Sequence, residues 1–310
     1  MNIIKKIPLP LSGVMLGVAG LGNLLQSYST GSRVACGIIA GVLLILLLLK
    51  IFLFPSMVKE DMKNPIMASV VGTFPMAVMI LSVYIKPFIG QVAFYIWLLA
   101  IILHGVLILY FTYQFVLKLK IDMVFASYYI VYVGIVVASM TAPTYEMASL
   151  GSVLFWFGFI LFVLLLILVS YRYITVPKVP EPARPLICIY AAPMSLCING
   201  YVQSVMPKSI PFLLGMYIVA SILYLFGLIQ GIRCLRLSFY PSYASFTFPF
   251  VISALASKQV MACMQTLGSP IPWLYYAVVL ETIIATIFVI YTLIRYIGFF
   301  VLSPLENAKK

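Results

Sequence analysis

The sequence predicts an all-α polytopic membrane protein. Of its 310 residues, 64% are hydrophobic and only 8% are charged, and the mean hydropathy is +1.17. A soluble domain of this size would carry about a quarter charged residues. The apolar residues fall in long runs, and at ~20 residues per spanning helix ten spans would use most of the chain. We therefore expect residues 1–310 to form a single transmembrane domain with short loops.

The ten apolar segments alternate between two kinds. The odd-numbered segments contain small residues, Gly and Pro, and cover approximately residues 9–28, 66–85, 123–142, 186–206 and 243–267. The even-numbered segments are rich in Leu and Ile and cover approximately residues 33–55, 89–117, 147–171, 210–232 and 272–302. Gly and Pro free backbone groups that lipid cannot satisfy. The sequence therefore predicts inner odd helices and outer even helices.

The interruptions in the odd segments recur at a regular spacing. Pro75, Pro193 and Pro249 occupy similar places in the third, seventh and ninth segments. Met15 and Val131 occupy the corresponding places in the first and fifth segments. The nearly equal intervals between these five positions, a period of about 60 residues, indicate five helical hairpins of like orientation. Five equivalent inner helices in a ring would enclose a central pore.

The basic residues are distributed asymmetrically between the predicted loops, although the net charge of +12 alone could suggest nucleic acid. With the N-terminus inside, the outer loops hold only Arg33, Lys86 and Lys208, and Lys258 lies within a helix. The inner side holds Lys5, Lys6, Lys50, Lys59, Lys63, Lys118, Lys120, Arg172, Lys178, Arg184, Arg233, Arg236, Arg295, Lys309 and Lys310. The positive-inside rule predicts a multi-pass protein of the cell membrane with both termini cytoplasmic. The charge is thus attributed to topology and anionic lipid, with no nucleic acid as partner.

Few side chains could support chemistry. His104 is the only histidine, and we expect a neutral imidazole bonded to a neighbouring carbonyl, with a proton relay as the alternative. The five cysteines have no paired spacing and are expected to be inert. Neither a metal-ligand cluster nor a catalytic triad nor a phosphate-binding loop is recognisable. We expect no metal, no cofactor, no enzymatic activity and no cleavable signal peptide, and we expect Glu60 and Asp61 to lie in a solvated loop or a short surface helix.

Lys258 and Glu281 are ionisable residues deep within predicted spans. A charge near the bilayer centre costs ~2.5–3.5 kcal/mol on insertion scales, so such residues are usually paired or functional. Lys258 precedes Ser269 in the predicted outer turn by nearly the same interval at which Glu281 follows it. Antiparallel neighbours would place them at nearly equal depth. We expect an ion pair, and the alternative is that Lys258 attracts anions in the pore while Glu281 tunes it.

The segment YASFTFPFV, residues 243–251, sets three phenylalanines around Pro249 at the start of the ninth helix. It contains no charge, histidine or cysteine. A helix bent at Pro249 could direct an aromatic ring sideways. The pattern is a poor catalyst and a candidate plug.

Four stretches of the chain resemble the TehA branch of the tellurite-resistance/dicarboxylate transporter family, which is related to the plant slow-type anion channels. They are KKIPLPLSGVMLG, TFPMAV, YAAPMS and SFTFPF, and the resemblance extends over essentially the whole chain. It implies ten helices in five hairpins around a pore, a homotrimer, and small inorganic or organic anions as partners. It also implies that a phenylalanine on the ninth helix occludes the pore.

By that resemblance the occluding residue is Phe248, which follows Phe246 and Thr247. Phe250 and Phe246, each two residues and roughly 200° away around a helix, are expected to pack against outer helices. The resemblance further matches Gly13 and Gly17 to small residues at the narrow lumen.

The kinks expected from the resemblance match Pro75, Pro193 and Pro249. Met15 and Val131 stand where relatives often have proline. The first and fifth helices are therefore expected to be straighter.

The sequence leaves three functions open. The leading one is an anion channel with a phenylalanine gate, and weakly hydrated monovalent anions such as nitrate would pass most readily. The alternative is a proton-coupled secondary transporter of dicarboxylate, sulfite or tellurite-type oxyanions. A membrane scaffold with a vestigial pore is the third. A fivefold ring of hairpins favours the channel, because alternating access is usually built on paired repeats.

Overall fold

The computed structural model describes residues 2–306, and the side chains of residues 4–300. Lys309 and Lys310 lie outside the described residues. Within the described range the chain is helical and no β-strand occurs. The α-helices, numbered α1 to α14, are Asn2–Lys5, Leu11–Leu25, Thr30–Leu53, Pro55–Asp61, Pro65–Val70, Thr73–Ile89, Gln91–Phe111, Tyr128–Tyr132, Val136–Thr141, Ala148–Thr175, Pro193–Ser204, Ile210–Cys234, Phe248–Thr266 and Leu274–Glu306. Short 3-10 helices cover Ile121–Met123, Ala142–Tyr145, Glu181–Ala191 and Pro241–Phe246, and a π-helical turn covers Thr112–Val116.

Eight helical stretches of the described chain are long and apolar enough to cross a membrane. They are Thr30–Leu53, Pro65–Ile89, Gln91–Val116, Ala148–Thr175, Glu181–Ser204, Ile210–Cys234, Pro241–Thr266 and Leu274–Phe300. The first of the ten predicted segments forms the shorter helix α2, and the fifth forms the short helices α8 and α9. The described residues therefore include eight helices long enough to span, and the ten predicted spans are not confirmed.

Three of the inner spans are interrupted immediately before or at a proline. In the third segment α5 ends at Val70 and α6 begins at Thr73, just before Pro75. The seventh and ninth segments begin as 3-10 helices and become α-helical at Pro193 and Phe248. A proline in the first turn of a helix removes no intrahelical hydrogen bond, because the first N–H groups have no partner within the helix.

The expectation of a straighter fifth helix is wrong. The chain leaves the α-helix after Tyr132 and re-enters it at Val136, although no proline lies there. Gly134 occupies the break, and a Cβ on it would lie 2.6 Å from Met76 Sδ and 2.9 Å from His104 Cε1. Glycine allows α6 and α7 to approach the backbone at this point. In the first segment α2 is unbroken from Leu11 to Leu25.

The inner helices contact one another in a closed cycle. Along that cycle α2 contacts α6, α6 contacts α9, α9 contacts α11, α11 contacts α13, and α13 contacts α2. The longer apolar helices α3, α7, α10, α12 and α14 pack outside these five.

Burial divides the spans in the same way. Between 67% and 89% of the apolar window is buried in the three inner spans, against 17% to 39% in the five outer ones. The outer helices hold the exposed Leu, Ile and Phe side chains that suit contact with lipid.

Candidate permeation site

A small cavity lies where the five inner segments meet, and we call it the axial cavity. Its volume is about 50 Å³. Each inner segment contributes lining residues, among them Gly13, Thr73, Gly134, Pro193 and Pro249. A cavity bordered by all members of a closed helix cycle lies on the axis of that cycle. It is therefore the candidate route through the protein.

The wall of the axial cavity is uncharged, since no Lys, Arg, Asp, Glu or His is among its lining residues. Its serine and threonine hydroxyls donate to backbone carbonyls. Thr73 Oγ1 donates to Val70 O at 2.8 Å, and Ser245 Oγ donates to Pro185 O at 2.6 Å. Ser242 Oγ donates to Pro182 O at 2.5 Å. The cavity thus presents a largely apolar surface.

Phe248 borders the axial cavity at the first residue of α13. Its side chain is 5% exposed. Its ring rests on α2 at Gly20, where an added Cβ would lie 3.5 Å from Cδ2 and 3.6 Å from Cε2. The absence of a side chain at Gly20 leaves room for the ring. Gly20 was not predicted as a site residue, although it follows Gly13 and Gly17 at helical spacing.

The neighbouring phenylalanines point away from the axial cavity. The ring centroids of Phe246 and Phe250 lie 5.8 Å and 4.6 Å from that of Phe288 on the outer helix α14. Phe250 also meets Tyr224 of α12 edge-on at 5.9 Å. The expected packing of these two rings against outer helices is confirmed, and of the three only Phe248 lines the cavity.

Thr247 fixes the turn that carries Phe248. Its Oγ1 lies 3.0 Å from Gly13 O and 2.7 Å from Ala244 O, so its one proton is shared between the two carbonyls and the hydroxyl connects the turn to α2. A Cβ on Gly17 would lie 2.4 Å from Thr247 Cβ and 2.9 Å from Phe248 N. Gly17 is therefore required for the contact of α2 with this turn, and it does not line the cavity. Gly13 lines the cavity. It also faces Ala244, because a Cβ added to Gly13 would lie 3.1 Å from Ala244 Cβ.

The three kink prolines occupy different positions relative to the axial cavity. Pro193 and Pro249 line it, whereas Pro75 is buried in the first turn of α6 without lining it. The roles of Gly134 and Thr247 at this site were not predicted from the sequence, because they depend on contacts with residues distant in the chain.

The predicted ion pair between Lys258 and Glu281 is not formed. Lys258 Nζ donates to Leu24 O at 3.0 Å and to Ser27 Oγ at 2.5 Å, at the carboxyl end of α2. Glu281 Oε2 instead accepts from Ser257 Oγ at 2.7 Å. Consecutive residues of a helix are about 100° apart, so the lysine faces α2 while the serine before it faces α14. A lysine at a helix carboxyl end is favoured by the free carbonyls there.

His104 is fully buried on α7, against the break in the fifth segment. Its Nε2 lies 2.9 Å from Val131 O. This is the expected bond to a neighbouring carbonyl, here a carbonyl beside an interrupted helix. No three His, Cys, Asp or Glu side chains come together as a metal site within the described part of the chain.

Several helices begin at the axial cavity. The helices α2, α6, α11 and α13 start at Leu11, Thr73, Pro193 and Phe248, and the cavity is lined by residues within or beside each first turn. Aligned peptide dipoles give each helix N-terminus a partial positive charge. The helix N-termini thus contribute a positive field at the cavity, and the carboxyl ends of α5 and of the 3-10 helices before α11 and α13 also border it.

A bundle of apolar helices around an uncharged internal cavity is consistent with a membrane protein of the channel or transporter class. The chain belongs to the voltage-dependent anion channel (SLAC1) family, whose sequence pattern matches residues 6–297. It is also similar to an uncharacterized transporter of Methanocaldococcus jannaschii, with 23% identity over 284 residues covering 81% of this chain and 82% of that protein. The family is of the channel or transporter type and not an enzyme family. Placement in the TehA branch stays a prediction.

Proposed function

We propose that this protein is a channel for small anions, that the axial cavity is its permeation path, and that Phe248 occludes the path. One observation carries the proposal. Of the three phenylalanines in the ninth segment, Phe248 alone borders the cavity, while Phe246 and Phe250 pack against α14. A ring in a narrow apolar lumen blocks by steric overlap and by excluding water.

The wall of the axial cavity supports selection by ease of dehydration. No basic side chain lines it, so an entering anion would exchange part of its hydration shell for the field of the helix N-termini and the few hydroxyls of the wall. Weakly hydrated monovalent anions lose the least hydration free energy in that exchange. Nitrate should therefore pass more readily than a dicarboxylate.

The proposal also covers the membrane topology and the oligomeric state. We propose that both termini are cytoplasmic, because the predicted inner loops hold most of the Lys and Arg residues. These cations would raise the local anion concentration at that mouth. We further propose ten helices in five hairpins, with α2 and the α8–α9 pair completing the ring, and a homotrimer as the resemblance to the TehA branch implies.

The test measures anion flux through purified protein in proteoliposomes or planar bilayers. Phe248→Ala should raise the nitrate flux at least tenfold, because the change removes the ring from the path. Phe250→Ala is the matched control, since it deletes an equal ring outside the axial cavity, and at equal amounts of folded, reconstituted protein it should leave flux near the wild-type value. Equal flux for wild type and Phe248→Ala, at equal amounts of reconstituted protein, would exclude the gate.

The same vesicles distinguish the proton-coupled transporter. A channel should carry nitrate only down its electrochemical gradient. Accumulation of a dicarboxylate, sulfite or tellurite against its gradient, driven by an imposed pH difference, would instead establish coupling. Absence of flux in both wild type and Phe248→Ala would favour a scaffold with a vestigial pore.

A further inference from the structure

A second, smaller cavity lies away from the axis, among α11, α12, α13 and α14, and we call it the Glu281 cavity. Its volume is about 10 Å³, close to the room that one water-sized sphere needs. It is lined by Ser195, Tyr217, Ala220, Ser221, Tyr224, Ser253, Ala256, Ser257 and Glu281. Seven of these nine residues carry an oxygen on the side chain. Burying so many side-chain oxygens inside an apolar bundle costs free energy unless each has a partner.

Three of the serine hydroxyls around this cavity donate to backbone carbonyls. Ser195 Oγ and Ser253 Oγ donate to Ala191 O at 3.0 Å and 2.9 Å. Ser221 Oγ donates to Tyr217 O at 2.8 Å. Because each hydroxyl has one proton, a serine that donates to a carbonyl retains only lone pairs for another partner. The lining is therefore rich in acceptors and poor in donors.

Glu281 contributes the only acidic side chain of the Glu281 cavity. It is 9% exposed and accepts from Ser257 Oγ at 2.7 Å, and Ser257 Oγ lies 3.2 Å from Tyr217 OH. No Lys, Arg or His forms a salt bridge with Glu281 in the described part of the chain. A carboxylate within a membrane span is costly unless a positive charge compensates it. The cavity beside it is where such a charge fits.

Tyr224 supplies an independent sign of a missing occupant. Its side chain is 5% exposed and borders the Glu281 cavity, yet its hydroxyl has no hydrogen-bond partner among the described residues. Buried hydroxyls are usually satisfied, because leaving one unpaired costs free energy. An occupant of the cavity would complete the partners of Tyr224.

We propose that the Glu281 cavity is a binding site for one sodium ion. Hard cations bind carboxylate and other oxygen ligands, which are the groups that line it. The lone pairs of the serines and of Tyr224 would coordinate the ion, and Glu281 would balance its charge. The small volume favours Na⁺ over the larger K⁺. Since the site joins four helices outside the axial cavity, the proposal does not depend on the identity of the permeating anion.

The test is a sodium titration of the thermal unfolding midpoint of the purified full-length protein in lipid nanodiscs. NaCl replaces choline chloride at constant total chloride and pH, and KCl replaces choline chloride in a parallel series. Binding to the folded state alone should raise the midpoint in a saturable manner, by about 2–4 °C in NaCl. KCl should produce less than a third of that shift.

Two variants and one control make the result specific. Glu281→Gln removes the charge, and Tyr224→Phe removes the unpaired hydroxyl while keeping the ring that packs on Phe250. Both should lose the sodium-dependent shift or need at least tenfold more NaCl for half of it. Tyr173→Phe deletes another buried tyrosine hydroxyl, outside the Glu281 cavity, and should retain the wild-type response. If Glu281→Gln does not fold, Tyr224→Phe alone still decides.

Three results would overturn the sodium site. They are equal shifts in NaCl and KCl, a full sodium response in Tyr224→Phe, and a midpoint that depends on pH but not on Na⁺. The last result would show that Glu281 is neutralised by a proton. None of these measurements uses anion flux, so failure of this proposal and failure of the proposed function remain distinguishable.

Discussion

The axial cavity and the Glu281 cavity differ in electrostatic character although both are lined by hydroxyl-bearing residues. The axial cavity has no Lys, Arg, His, Asp or Glu among its described lining residues and lies at the N-termini of α2, α6, α11 and α13. The Glu281 cavity contains a carboxylate and lies beside the middle of α13, where Ser253 and Ser257 line it. We propose an anion for the first cavity and a cation for the second. The two walls differ in the single carboxylate of Glu281, since hydroxyls line both.

The ninth segment separates the two cavities. Phe248 and Pro249 face the axial cavity, and Ser253 and Ser257, about one and two helical turns further on, face the Glu281 cavity. Phe250 lies between these sets and contacts Tyr224 of the second cavity. One helix can thus contribute to an anion path and to a cation site. Substitutions along it should affect one cavity at a time.

The largest effect on stability is expected for Phe250→Ala, because this fully buried ring of α13 packs in the core and lines neither cavity. Phe250 is fully buried against Tyr224 and Phe288, so its deletion should lower the free energy of unfolding by about 3–5 kcal/mol. Phe248→Ala should cost less, because one side of that ring already borders empty space. Thermal unfolding of both variants in nanodiscs measures the difference.

The same pair of variants tests whether the division along α13 is real. Phe250→Ala should also weaken the sodium response, since Tyr224 loses its ring partner, whereas Phe248→Ala should leave that response intact. Equal destabilisation by the two substitutions would mean that Phe248 is an ordinary core residue.

A smaller effect is expected for Gly17→Ala, which acts on the axial side only. The added methyl group would lie 2.4 Å from Thr247 Cβ, so α2 and the turn before α13 must separate. Overpacking of this kind costs typically about 1–3 kcal/mol.

Gly105→Ala is the matched control, because a Cβ there meets nothing within 4 Å. The unfolding midpoint should fall only for Gly17→Ala, and the Na⁺ concentration for half its shift should stay at the wild-type value. A Gly17→Ala protein as stable as Gly105→Ala would contradict the close contact.

The smallest effect is expected at Asp61, which is remote from both cavities at the end of α4. Burial raises the pKa of Asp61 above its ordinary value of 3.8, and Lys50 opposes this while Glu60 adds to it. The protonated form is thus favoured by folding, and its contribution to stability is lost as the pH rises through the raised pKa. Asp61→Asn should remove that part of the pH dependence, a change in unfolding midpoint below about 2 °C. The sodium response should be unaltered, and an unchanged pH profile would show that Asp61 is fully solvated.

The spans were predictable because hydropathy and helix length are local properties. Runs such as residues 33–55 and 147–171 correspond to Thr30–Leu53 and Ala148–Thr175. The Gly- and Pro-containing segments 186–206 and 243–267 fall in spans that are 89% and 78% buried. The break at Gly134 was not predictable from proline spacing, because no proline lies there and its neighbours Met76 and His104 come from α6 and α7. Helical breaks without proline need a tertiary explanation.

The depth of a residue along its helix was easier to predict than the rotation of the helix about its own axis. Counting along the chain from Ser269 placed Lys258 level with Glu281, and the adjacent Ser257 is the side chain that contacts the carboxylate. The rotation of a helix about its own axis depends on packing, which counting along the chain does not capture. Likewise the SFTFPF motif predicted Phe248 as a site residue, whereas Gly20 and Tyr224 could be identified only from contacts between helices.

The hydrogen bond from Thr247 Oγ1 to Gly13 O has a consequence for kinetics. It anchors the backbone just before Phe248, so the motion most available to the ring is rotation of its own side chain. Rotamer changes occur in picoseconds to nanoseconds when unhindered and slow down when neighbours must yield, whereas helix displacement takes microseconds to milliseconds. An opening that depends on the ring alone would be too brief for electrical recording to resolve and would appear as a reduced mean current. Discrete, long-lived openings would require the Thr247 anchor to break.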